Sequence, residues 1–224
     1  MTRPGQVKIA DLDGNGFIDP GNFAVDDHGD LRIIGNQSPR YRYGVNLSAR
    51  WNGIGLSVFL QGVGARDWYP GSDAGMFWGK YGRPFFALIP SIHNYTDDMY
   101  SAERNNWDTA YWPRMTTYQS NGTKNWTRLL EIPNTRYIQS AAYLRVKNIQ
   151  VDYSFPKHIC SAIRLQGLKI YVNAENLFTF TPLHKYAPNF DPEGLSYDSD
   201  FASAADGYTY PILKSVTVGV NITF

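Results

Sequence analysis

The carboxy-terminal run from Val216 to Phe224 places an apolar side chain at every second position. Val216, Val218, Val220, Ile222 and Phe224 fall on one face of an extended strand, and Thr217, Gly219, Asn221 and Thr223 on the other, because strand side chains alternate. The pattern recurs upstream. Tyr41, Tyr43, Val45, Leu47 and Ala49 oppose Arg42, Gly44, Asn46, Ser48 and Arg50. Ile54, Leu56, Val58, Leu60 and Gly62 oppose Gly55, Ser57, Phe59 and Gln61, and Leu168, Ile170, Val172 and Ala174 oppose Lys169, Tyr171, Asn173 and Glu175. Between Tyr143 and Tyr153 the apolar set begins at Leu144 and Val146 and resumes, out of step, at Ile149, Val151 and Tyr153. A bulge near Asn148 produces such a switch. The pattern predicts an all-β chain of about five strands, with no segment at the helical period.

Alternation of this kind fits two surroundings. A half-buried strand of a soluble sandwich alternates, and so does a tilted strand of about 9–11 residues crossing a bilayer. The connections favour the second. The hairpin dipeptide Asn52-Gly53 separates the first two strands, and Phe155 to Arg164, with Pro156, joins the next pair. The chain then divides into a lead-in (1–40), a hairpin (41–63), a long connection (64–142), a second hairpin (143–178), another long connection (179–212) and a final strand (213–224). Short and long connections alternate, as the periplasmic turns and extracellular loops of outer-membrane barrels do. With the chain end periplasmic, 1–40, 64–142 and 179–212 are expected to be extracellular. Five strands do not close a barrel, and an open edge in lipid leaves unpaired backbone groups at several kcal/mol each. The expectation is an antiparallel transmembrane β-barrel segment whose other strands come from elsewhere. Its rivals are a soluble β-sandwich that binds carbohydrate and a non-transporting surface barrel.

Composition narrows this further. The formal net charge of +1 and the lack of a basic run give no reason to expect a nucleic-acid partner. A negative mean hydropathy and the lack of about 18 consecutive apolar residues exclude a membrane helix, not a barrel. The single cysteine, Cys160, forms no internal disulfide. The first residues do not read as a signal peptide, as expected also of a carboxy-terminal piece of a longer exported protein.

Two features carry candidate chemistry. Asp11, Asp13, Asn15, Phe17 and Asp19 stand at positions 1, 3, 5, 7 and 9 of an EF-hand-like calcium loop, with Gly16 at the sharp turn. Position 12 is Asn22 instead of Glu, so Asp26 or Asp27 would have to substitute, and an Asx-rich turn that binds nothing has the same composition. The segment 64–142 holds Trp68, Trp78, Trp107, Trp112 and Trp126. They are candidates to stack on sugar rings or to form a partner interface, or to pack a small core of the loop's own. Tyr41, Tyr43, Trp51 and Tyr153, at strand ends, read as membrane-interface residues. Catalysis is not expected. His28, His93, His158 and His184 are scattered, no nucleophile elbow or phosphate loop occurs, and Asp191 and Glu193 flank Pro192 in a turn.

A series of short stretches resembles one family. Asp11-Leu-Asp-Gly-Asn-Gly-Phe-Ile-Asp19, Ile33-Ile-Gly-Asn36 and Pro39 to Asn46 are followed by Leu56 to Gly62 and Trp112-Pro-Arg114. Tyr143 to Ile149, Tyr171 to Phe178, Asp191-Pro-Glu193 and Gly219 to Phe224 complete the series. In this order they resemble the carboxy-terminal portion of SusC/RagA-type TonB-dependent outer-membrane transporters, across nearly the whole chain. The resemblance implies a 22-stranded barrel with an amino-terminal plug, energised by the TonB complex, capped by a SusD-type lipoprotein and importing oligosaccharides or peptides. It also implies that Val216, Val218, Val220, Ile222 and Phe224 form the signal read by the barrel-assembly machinery.

Overall fold

The computed structural model describes residues 5, 7–70, 98–112, 133–195 and 212–224. Five long strands form one antiparallel sheet: β1 (Arg40–Trp51), β2 (Ile54–Ala65), β5 (Tyr143–Ser154), β6 (Gly167–Phe180) and β7 (Ser215–Thr223), each beside its neighbour in that order. Two short strands, β3 (Asp67–Trp68) and β4 (Gln139–Ser140), pair separately. At two residues each, they are too short to leave a periodic trace in the sequence.

The β1–β2 turn is the expected one. Asn52 and Gly53 both take positive φ, 48° and 84°, the backbone that a two-residue hairpin demands and that Asn and Gly tolerate. The β5–β6 connection contains a short helix, Lys157–Ala162, that the pattern did not predict. Six residues are too few to show a period. Pro156 starts it, consistent with a residue that gives up no needed N–H at a first helical turn.

Register carries the apolar positions across all five strands. Trp51, Ile54, Tyr153, Ile170 and Val220 form one cross-strand row, followed by Ala49, Leu56, Val151, Val172 and Val218. Leu47, Val58, Ile149, Ala174 and Val216 form the third. Val45, Leu60, Val146 and Phe178 continue it, then Tyr43, Gly62, Leu144 and Phe180. Between the third and fourth rows each successive strand spends one residue more: Val58 to Leu60 on β2, Ile149 to Val146 on β5, Ala174 to Phe178 on β6. The register shifts fall there, around Lys147, with Asn176 at φ 53° on β6. Without the bulge Val146 and Leu144 would point to the polar face, since a one-residue slip inverts every later side chain.

Glycines in the sheet sit under bulky neighbours. A Cβ at Gly62 would run into the Tyr143 carbonyl oxygen and the Tyr43 hydroxyl, and a Cβ at Gly219 would run into the Tyr171 ring. The two differ in what can yield. A ring swings, whereas the Tyr143 carbonyl is fixed in the ladder. Gly62→Ala is therefore expected to destabilise the sheet by about 1–3 kcal/mol, the usual range for overpacking, and Gly219→Ala by less. Urea unfolding followed by far-ultraviolet circular dichroism measures both. Equal costs would contradict this account.

Residues Pro39–Arg66, Ala141–Pro182 and Pro211–Phe224 make up the unit built on this sheet, and Met1–Ser38, Asp67–Ser140 and Leu183–Tyr210 make up a second compact unit. The second has its own interior, with Trp68, Tyr69, Met99, Trp112, Tyr137, Leu183 and Phe190 buried. Among the described residues no helix is long and apolar enough to cross a membrane, which says nothing of strands.

Candidate functional site

The apolar face of the sheet is open. Val216, Val218, Val220, Ile222 and Phe224 are between 48% and 82% exposed, and Leu47, Leu56, Val151, Ile170 and Val172 are exposed as well. An uncovered face of this size, on adjacent strands, is far beyond what a soluble monomer leaves to water. It is also zoned. Aliphatic side chains fill the two middle rows. Aromatic ones mark the ends, with Trp51 and Tyr153 at the hairpin-turn end and Tyr43, Phe178 and Phe180 at the other. Aromatic girdles at both interfaces flank the lipid-facing band of a transmembrane barrel. A soluble sandwich would have buried this face against a second sheet, whereas here large apolar side chains on every one of the five strands are exposed and others are half-buried among their neighbours.

The opposite face is polar. Its rows run Arg50, Gly55, Asp152, Tyr171, Gly219, then Ser48, Ser57, Gln150, Asn173, Thr217. Asp152 is buried there and Arg145 is buried near the far end, where its Nε donates to Thr179 Oγ1 at 2.9 Å. Sequence alternation located both faces. It did not reveal which polar residues would meet.

The Asp-rich turn folds as a tight loop in the second unit. Asp11 accepts from Gly14 N at 2.6 Å and Gly16 N at 2.9 Å, Asp13 accepts from Asn15 N at 2.9 Å, and Asn15 Oδ1 accepts from Phe17 N at 2.7 Å. Gly14 and Gly16 take φ of 78° and 86°, open to glycine and strained for most residues. Asp11, Asp13 and Asp30 bring their carboxylate oxygens within 4.8 Å of one another. Oxygens bound to one calcium ion at 2.3–2.6 Å lie up to about 5 Å apart, so this donor set fits such an ion.

The third carboxylate is Asp30, which sequence reading missed. Of the substitutes it did consider, Asp27 is engaged elsewhere, closing a turn with the Asn22 amide. Asp30 reaches the loop because the chain doubles back: its N–H donates to the Asp19 carbonyl at 2.9 Å, and its carboxylate accepts from the N–H groups of Leu12 and Asp19. Asp19 itself accepts from Gly21 N at 2.8 Å. The only sequence signal was an Asp after a second turn glycine, Gly29.

The hydrogen bond from Gly16 N, with help from Gly14 N, lowers the Asp11 carboxyl below the ordinary 3.8. The charged form is thus favoured in the folded loop, and the contribution it makes is complete above pH 3.8 and lost as pH falls through the lowered value. Protection of the Gly16 amide, taken relative to its intrinsic exchange rate at each pH, is expected to fall only in that acid window. Protection already falling near neutrality would contradict this assignment.

The three described tryptophans of segment 64–142 do not share one surface. Trp68 and Trp112 are 3% and 1% exposed, so neither offers a face to a ligand. Trp68 packs on Phe190 at 5.0 Å, and Trp112 meets Tyr111, Tyr137 and Tyr186 edge-on or stacked at 5.1–6.5 Å. Trp107 is 65% exposed and open to contact. Trp78 and Trp126 lie outside the described residues. Around Trp112, Tyr111 stacks on Tyr186 at 3.6 Å, and Gln139 Nε2 donates to the Tyr111 hydroxyl at 2.7 Å. Burial pushes the Tyr111 hydroxyl up to about 12, and Tyr69 and Tyr137 higher still. These are phenols of a packed interior.

No family model matches the chain. It is 27% identical over 227 residues to TonB-dependent receptor P3 of Formosa agariphila, covering 99% of this chain and 19% of that receptor. TonB-dependent receptor P26 of the same organism is 22% identical over 224 residues, covering 98% of this chain and 20% of the receptor. Among solved structures, the RagAB peptide importer in its "closed-closed" state matches with a TM-score of 0.56 at 20% identity, over 99% of this chain and 20% of that one. The resemblance to a carboxy-terminal piece of a SusC/RagA-type TonB-dependent receptor holds. In its "open-open" state the same importer gives a TM-score of 0.52 at 19% identity, over 90% of this chain. The fold is accordingly that of a transmembrane-barrel segment: the zoned apolar face is its lipid side and the polar face its inner side. The chain spans about a fifth of the length of the relatives it matches.

Proposed function

We propose that this chain is the carboxy-terminal barrel part of a TonB-dependent importer in the outer membrane, carrying oligosaccharides or peptides with a SusD-type lipoprotein. The observation that carries the reading is the register-matched apolar face, exposed on all five strands and edged with aromatic rings. Among the described residues, strands β1 and β7 each have one unpaired edge, which further strands of the same receptor would satisfy. The remaining strands, the plug and the TonB-contacting segment belong to the rest of that receptor, and no chemical step is assigned to this part.

Two measurements test this. Expressed alone, the chain is expected to need detergent; a monodisperse, cooperatively folding monomer in plain buffer would overturn the barrel reading. Cells lacking the intact receptor are expected to lose growth on the cognate oligosaccharide or peptide mixture while keeping growth on its monomers. Undiminished growth on every such mixture would overturn the importer reading.

A structural calcium ion is part of the same proposal, favoured by Asp30 joining Asp11 and Asp13. It would be held by those carboxylates with Asn15, Asp19 and the Phe17 carbonyl nearby, and would pin the loop without taking part in transport chemistry. In the intact receptor, millimolar calcium is expected to slow proteolytic cutting between residues 11 and 30 by about tenfold or more, as ligand-linked stabilisation predicts. Asp30→Asn should remove most of that protection. Cutting indifferent to calcium in the unaltered receptor would rule the ion out.

A further inference from the structure

The inner face of the sheet carries one charge cluster assembled from three strands. Asp152 on β5 contacts Arg50 Nη2 of β1 at 3.4 Å through Oδ2 and Lys169 Nζ of β6 at 3.3 Å through Oδ1. Asp152 reaches across β2 because position 55 is glycine: a Cβ there would stand 2.5 Å from Asp152 Oδ1. The Asp152 side chain is 7% exposed, Lys169 30% and Arg50 60%. Two cations share one carboxylate, so the cluster keeps a net positive charge.

Arg50 is the part left open. A guanidinium has five N–H donors in a planar fork suited to a carboxylate, and among the described residues Asp152 is its one charged partner, held at a single contact. Lys169 likewise keeps donors beyond Asp152. Surplus charge on the inner wall calls for an anion, and a planar fork beside a lysine calls for a carboxylate. The chain spans about a fifth of its relatives, so most of the polypeptide that shares this wall lies in the rest of the receptor.

We propose that Arg50 and Lys169, held in place by Asp152, form a docking site for an Asp or Glu side chain of the receptor polypeptide that packs against the inner face. Asp152 is the positioning residue and the two cations are the contacts. This rests on the barrel reading, because only that reading makes the polar face an interior wall.

Zero-length carbodiimide cross-linking of the intact receptor in outer-membrane vesicles tests the site, since it joins an amine to a touching carboxylate. The expected product is an amide between Lys169 and an Asp or Glu outside these 224 residues, beside a link to Asp152. Arg50→Lys should add a second such link, and Lys169→Gln should abolish the first. Links to Asp152 alone, or none, in a receptor that shifts mobility on boiling as a folded barrel does, would overturn the docking site and spare the barrel reading. Extraction of the receptor by carbonate without detergent would overturn both. Cross-linking only to an added acidic peptide substrate would assign the cations to solute instead, and overturn the proposal in that way.

Discussion

Val151→Arg is expected to destabilise the membrane-inserted receptor by about 2–4 kcal/mol, while Gln150→Arg, its neighbour in sequence, changes stability by less than about 0.5 kcal/mol. Val151 lies in a middle row of the apolar face, with Leu56 and Val172 on either side. An arginine there must take its charge into hydrocarbon or drag water in with it. Gln150 lies between Ser57 and Asn173 on the polar face, where an added cation keeps polar neighbours and stays out of the hydrocarbon. Trp51→Arg, in an end row, should cost only about 0–1 kcal/mol from charge placement, because the penalty fades toward the interface. Equilibrium unfolding in lipid vesicles reads all three. A soluble sandwich makes no such depth-dependent series, so equal penalties at Val151 and Trp51 would count against a bilayer around this face.

What the sequence disclosed follows the reach of the physics that writes it. Alternation is local, so every long strand was visible, and so was the phase switch on β5, because bulging at Lys147 moves the apolar set from Val146 to Ile149 within a few residues. The hairpin was legible in Asn52-Gly53 for the same reason. Contacts between distant residues were not. Asp30 joins Asp11 and Asp13 only after the chain doubles back at Gly21 and Gly29, and composition offered Asp26 and Asp27 equally well. Arg50, Asp152 and Lys169 are far apart in sequence and meet by register alone. The tryptophans show the limit most clearly, since residue type does not distinguish a ring that faces solvent from one that closes a core. Trp107 and Trp112 stand five positions apart with opposite fates.

That contrast yields the largest expected effect. Trp112→Ala should destabilise the second compact unit by about 3–5 kcal/mol, the range for truncating a fully buried aromatic. The indole meets Tyr111, Tyr137 and Tyr186, and Tyr111 in turn stacks on Tyr186 and takes the Gln139 hydrogen bond. Removing it leaves a cavity among rings that cannot all close in. The consequence should stay local. Met99 and Tyr137, which share this interior, are expected to lose hydrogen-exchange protection in the intact receptor. Val58 and Val172, in the ladder of the sheet, should keep theirs. Trp107→Ala should change neither, because an exposed ring gives up little packing. Loss of protection at Val58 and Val172 as well would contradict the assignment of Trp112 to a local core.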